Sequence, residues 1–188
     1  MKLCAQFNVW MPRLLLVSTL VGLTAGQACG ADAWDVLGPA RMGAAFDELS
    51  QQVALTCSGD AERRACAAGF QMPIVFAGVP VNRIEAGFDG ARLVKVTVVL
   101  GEQQYQGLLY ALTTRYGEGE DRSFIARAGM AGEFLAGVYL WRKGGVSLVL
   151  EQYAGKIDRS ALSYGSEQAM AELIRKTTAY PRGAHRDL

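Results

Sequence analysis

Nucleophilic acyl transfer needs a serine or cysteine beside a base that a third group orients. The chain has one histidine, His185, and it lies in a polar C-terminal stretch, so a Ser-His-Asp site is not expected. Glu85, Asp89, Glu118, Glu120 and Asp121 are the carboxylates from which a hydrolytic pair would be drawn. Asp89 precedes Gly90 in a turn signal, and Glu118, Glu120 and Asp121 share a polar, glycine-containing stretch, so a solvated surface accounts for them more simply. Gly117-Glu118-Gly119 and Gly144-Gly145 punctuate turns. No Gly-x-x-x-x-Gly-Lys-Ser/Thr cradle for phosphate occurs, and no cofactor is expected.

The aromatic residues carry more weight. Tyr139, Trp141, Tyr153 and Tyr164 fall on or beside a pair of alternating segments. Side chains alternate across a strand, so if Val138 and Leu140 face the core, Tyr139 and Trp141 face away. Exposed aromatics beside Arg142 and Lys143 would mark a recognition surface. Tyr139, Trp141, Arg142 and Tyr153 are therefore the candidate binding residues. Two other arrangements are open: a sheet covered on both sides, or reversed faces with Trp141 in the core.

Residues 1–33 differ from the rest. Lys2 and Arg13 are the only charges before Asp32, and an apolar run follows Arg13 from Leu14 to Ala25. A basic start, about a dozen apolar residues and then small residues make the order of a secretory signal peptide. A bilayer-spanning helix needs roughly 20 apolar residues, which counts against an uncleaved anchor. Cleavage is expected after Ala28 or Ala33; lipidation of Cys29 is the alternative, although Gly26-Gln27 fits a lipoprotein signal poorly. The expected locale is the periplasm or the exterior. Removing this segment leaves 17 of the 19 basic residues and 17 of the 18 acidic ones. Such a balance argues against nucleic acid as a partner. Local arginines at 41, 63 and 64 read as solvated surface.

Cleavage after Ala33 leaves two cysteines, Cys57 and Cys66, flanking a polar stretch. In an oxidising compartment they are expected to form a disulfide. A metal site is not expected, because zinc needs more ligands than two cysteines and one remote histidine supply. No Cys-x-x-Cys redox pair occurs.

The elements that must position these residues can be read from spacing. Phe46, Leu49 and Val53 predict a helix over 43–54, and the Cys57–Cys66 stretch reads as a loop with a helical turn near 61–68. Residues 72–76 read as a strand that Pro73 and Pro80 confine to an edge. Strands over 82–88 and 92–100 join at Asp89-Gly90, and a helix follows over 103–116 with Gly117 as its cap. A second hairpin is expected over 134–153, turning at Lys143-Gly144-Gly145. A short strand at 161–164 and a helix over 167–178, capped by Ser166, complete the domain. The tail 180–188 is expected to be mobile. The predicted class is α+β: one domain over 34–179, an antiparallel sheet built from hairpins, with helices packed on one face, and the spacing of the two halves suggests a duplicated strand-strand-helix unit.

Two stretches resemble known envelope proteins. The run Leu37-Gly38-Pro39-Ala40-Arg41-Met42-Gly43-Ala44-Ala45-Phe46-Asp47-Glu48-Leu49 is similar to the opening of the outer-membrane assembly lipoprotein BamE and of beta-lactamase-inhibitor-like domains, with Met42 preceding Gly43. Residues 83–117 resemble a pattern common in uncharacterised proteobacterial periplasmic proteins, through Phe88-Asp89-Gly90, Leu93 to Val98, Leu112 and Arg115-Tyr116-Gly117. The resemblance implies an envelope compartment and a helix-on-sheet fold, and it transfers no catalytic residue. The expected function is a non-enzymatic binding or interaction protein of the cell envelope, its partner another envelope protein. A small carboxylate-dependent hydrolase is the alternative.

Overall fold

Alternating apolar residues run through much of the chain, and the computed structural model, which describes residues 41–69, 74–127, 132–179 and 182–187, pairs them into antiparallel sheets. The expected signal segment 1–33 lies outside the described residues. In chain order the elements begin with α1 (Phe46–Gln52), β1 (Ala54–Gly59) and β2 (Arg63–Gly69). The small hairpin β3 (Ile74–Phe76) and β4 (Val79–Val81) leads into β5 (Arg83–Asp89), β6 (Arg92–Gly101) and α2 (Tyr105–Tyr116). Then come β7 (Glu120–Asp121), β8 (Phe124–Arg127), β9 (Glu133–Ala136), β10 (Val138–Lys143) and β11 (Val146–Glu151). The last are β12 (Arg159–Ser166), α3 (Glu167–Thr178) and β13 (His185–Asp187).

The main sheet has eight strands in the order β1-β2-β5-β6-β12-β11-β10-β7. The fold is therefore α+β with a large antiparallel sheet, as the hairpin signals predict. Asp89 pairs with Arg92 around Gly90, and Lys143 pairs with Val146 around Gly144 and Gly145. Both of those glycines have positive φ, 59° and 76°, the geometry a two-residue hairpin turn requires. α3 begins at Ser166, whose hydroxyl accepts a hydrogen bond from the Ala169 N–H at 3.2 Å.

The expectation that all helices share one face is corrected. Leu108 and Leu112 of α2 and Leu49 of α1 pack in one core with Val96, Val98, Leu148, Leu162 and Trp141. Met170 of α3 packs in a second core with Val138, Leu140 and Val149. Register puts Trp141 opposite Leu148 and Leu140 opposite Val149, so the two cores occupy opposite faces of the sheet. The physical reason is composition: the central strands are apolar at both odd and even positions, which suits a sheet buried on both sides. The helices after β5–β6 and after β11–β12 thus lie on opposite faces, and the two strand-strand-helix units are not copies.

Three boundaries also differ. The 54–69 stretch is a hairpin, not a loop with a helical turn, and α1 stops at Gln52. Its turn is set by Asp60, whose Oδ1 accepts from the Glu62 and Arg63 N–H groups at 2.9 and 2.8 Å. The disulfide Cys57–Cys66 forms between directly paired residues of β1 and β2. The expected 134–153 hairpin is broken at Gly137, where a Cβ would lie 2.8 Å from Tyr105 Cζ; β9 turns off there to join a separate sheet, β13-β8-β9. Finally, the tail expected to be mobile supplies β13, parallel to β8, with His185 3.5 Å from Glu133.

Candidate functional site

Trp141 is buried, at 5% exposure, so the expectation of an exposed Tyr139–Trp141 surface is corrected. Its ring faces the α2 side, and the chain leaving α2 lies over it. The indole Nε1 donates to the Gly117 carbonyl at 2.8 Å, and a Cβ on Gly119 would come within 2.6 Å of Cε2. Gly117, with φ 81°, ends α2 and turns the chain onto the indole. Tyr139 is half-buried beside Trp141, ring centroids 6.1 Å apart. Tyr153 does not join them. It lies past the opposite end of β10, T-stacked on Phe134 at 4.8 Å. Four residue steps, from Val138 to Arg142, separate that end from Arg142, roughly 13 Å.

Arg142 is exposed. Its Nη1 lies 3.1 Å from Glu120 Oε2, and Arg122 holds the other oxygen of the same carboxylate. Arg142 also walls a cleft of about 300 Å³. Four consecutive residues of β10, Leu140 to Lys143, form one side of it, and Arg115, Tyr116 and Glu118 form the other. Arg115 sits over the Tyr116 ring, 5.4 Å from its centroid. The lining thus sets three cations, Arg115, Arg142 and Lys143, against one carboxylate, Glu118. Such a cleft is suited to holding a carboxylate or another small anion by charge-assisted hydrogen bonds. Arg115 and Tyr116 were not singled out as site residues from sequence, because only the path of 117–119 across Trp141 brings them to β10.

Two of the carboxylates considered for a hydrolytic pair are held by cations. Glu120 is engaged by two arginines. Asp121, its neighbour in β7, is partly pulled up by burial, but the Ser123 hydroxyl and N–H and the Arg182 guanidinium outweigh this and hold it below the usual carboxylate range. A general acid needs the opposite shift.

Behind this site Tyr105 is buried, and among the described residues its hydroxyl has no hydrogen-bond partner. Burial pushes the phenol well up, and the nearby Tyr139 and Asp121 add to the shift. A raised pKa means the folded state holds the proton after the unfolded chain has released it near pH 10. Its contribution is therefore complete below about pH 10 and is lost as pH climbs from there towards the folded value. Tyr105→Phe should leave the melting temperature at pH 7 unchanged or slightly higher, since it removes an unpaired buried hydroxyl. It should also flatten the decline between about pH 10 and 11.5. Tyr153, also raised by burial, leaves a residual slope. An alkaline decline as steep in the variant as in the parent would contradict this account.

No protein-family profile matches the chain, and no curated protein matches it. Among solved structures it is similar to a cysteine-rich secretory protein of Staphylococcus aureus, at 8% sequence identity and a TM-score of 0.41, over 71% of this chain. The match spans 46% of that protein's length. A likeness of that degree assigns neither family nor activity, and it does not bear on the resemblance to BamE-like openings.

Proposed function

We propose that the protein is an exported, non-enzymatic binding protein of the cell envelope whose site is the basic cleft at the Gly144-Gly145 end of β10. The observation that carries this reading is the surplus of cations in a concave lining, Arg115, Arg142 and Lys143 with Glu118. Burial of Trp141 removes the exposed indole from the argument and leaves it as the floor on which the charged residues stand. The paired cysteines in the β1–β2 hairpin support an oxidising compartment, in keeping with the N-terminal sequence pattern. No helix among the described residues is long and apolar enough to cross a membrane.

The test is charge reversal at the cleft. Arg115 and Arg142 are exposed, so Arg115→Glu/Arg142→Glu should fold with a melting temperature close to that of the parent. Envelope fractions passed over the immobilised parent and variant should yield partners that only the parent retains and that raised salt releases. A retained set unchanged by the double reversal would sink the reading.

A further inference from the structure

We infer that the cleft takes an extended acidic peptide segment, which adds to β10 as a further strand; this rests on the reading of the cleft as a binding site. The backbone supplies the first argument. The Arg122 N–H donates to the Val138 carbonyl at 2.8 Å, so the even-numbered residues of β10 turn their N–H and C=O groups towards β7. β7 has two residues and, among the described residues, pairs with Tyr139 and Leu140. Among the described residues no strand pairs with Trp141–Lys143 on that side, which leaves the N–H and C=O of Arg142 on an open sheet edge. Open edges of this kind are where extended peptides add to sheets.

The shape of the cleft supplies the second argument. Leu140, Trp141, Arg142 and Lys143 all line it. Consecutive strand residues point to opposite faces, so four in a row can share one cleft only if it runs along the strand edge. The cleft is the lane that β7 vacates. It opens because the chain at 117–119 leaves the sheet plane to lie on the Trp141 indole. A strand placed in the lane would send alternate side chains to the two faces. On the α2 side they would meet Arg115 and Lys143. On the α3 side they would meet a second, shallower groove of about 600 Å³ that shares Arg142 and reaches Ile174 and Arg175.

Charge decides which peptide fits. The two grooves present Arg115, Arg142, Lys143 and Arg175 against Glu118 and Glu167. Some of these are already engaged: Glu120 is shared by Arg142 and Arg122, and Glu172 by Arg175 and Lys176. Lys143 has an interaction of its own and is left out of the balance; with the partners named above included, five cations face four carboxylates. An acidic strand relieves that surplus, and a basic one increases it.

The experiment is fluorescence anisotropy of the full protein with a labelled Val-Glu-Val-Glu-Val-Glu peptide at low salt. The Val-Glu peptide should bind. Its Val-Lys counterpart, a Pro-Glu peptide of equal charge and versions N-methylated at alternate amides in each register should include losses of tenfold or more. The Pro-Glu peptide keeps the charge and removes the strand's donors. Two variants separate charge from backbone: Arg142→Ala loses the guanidinium, and Arg142→Pro loses it together with the N–H that β11 does not use. Arg142→Pro should bind at least tenfold more weakly than Arg142→Ala. Equal binding of the Pro-Glu and Val-Glu peptides would overturn strand addition and leave an anion-binding cleft standing. So would envelope capture that charge reversal abolishes while no peptide binds. Failure of both the peptides and the charge-reversal test would remove the cleft reading as well. Should Arg142→Pro not fold, the N-methylated peptides decide.

Discussion

Trp141→Ala should unfold the protein at a melting temperature on the order of 10 °C below that of the parent, from a loss of about 3–5 kcal/mol. The indole packs in the α2-side core with Leu148, Leu150, Leu162 and Tyr164. Alanine would open a cavity there and remove the donor that satisfies the Gly117 carbonyl. It would also take away the surface on which 117–119 lies, so the C-terminal end of α2 should fray first. Urea unfolding followed by far-UV circular dichroism measures the loss, and amide exchange at 115–119 should rise with it. Trp141→Phe keeps most of the apolar area and gives up the hydrogen bond, at a cost of about 1–2 kcal/mol. A shift of only one or two degrees for the alanine variant would mean that the loop does not seal the indole and that this side chain is a surface group after all. The consequence for function is practical: loss of binding in Trp141→Ala would report unfolding, and the charges of the cleft are the proper targets.

The period-two segments made much of the sheet legible. Val94, Val96 and Val98 alternate with Lys95 and Thr97, and the Asp89-Gly90 and Gly144-Gly145 turns fix two hairpins without reference to anything distant. α3 was legible from Ser166 and its 3.6-residue stripe. The β1–β2 hairpin was not, because Arg63 to Gly69 is rich in alanine and carries little alternation; its strand state comes from pairing with β5, a tertiary effect. The direction of Trp141 was undetermined for a related reason. β10 is apolar at both Leu140 and Trp141, so alternation could not decide which side is core, and the answer is both. Arg142 was legible as an exposed residue of the second hairpin. The approach of Arg115 and Glu120 to Arg142 was not legible, since it comes through the loop after α2 and the two-residue pairing of β7. The strand in the tail was not legible because His185–Asp187 has no apolar pattern; its pairing with β8 is a backbone interaction that composition does not announce.

Removing the disulfide should cost about 2–3 kcal/mol, the loop-closure entropy of roughly ten residues in the chain-entropy model. Cys57→Ala/Cys66→Ala is the preferred pair of substitutions, because Cys66 is buried at 1% exposure against the α2-side core and a serine hydroxyl there would add its own desolvation cost. The loss should be felt locally before it is felt globally. β1 is an edge strand whose ladder partner is β2, and apart from that ladder the disulfide is its covalent tie to the sheet. Amides of 54–59 should therefore exchange faster in the double variant, while those of β6, β11 and β12 should change only as much as the global stability does. Protein produced in an oxidising compartment should take up no alkylating agent at these positions until it is reduced, as intact mass would register. Two alkylated thiols before reduction, or a double variant within 1 kcal/mol of the parent, would show that the β1–β2 ladder holds itself and that the cysteine pair contributes little to the fold.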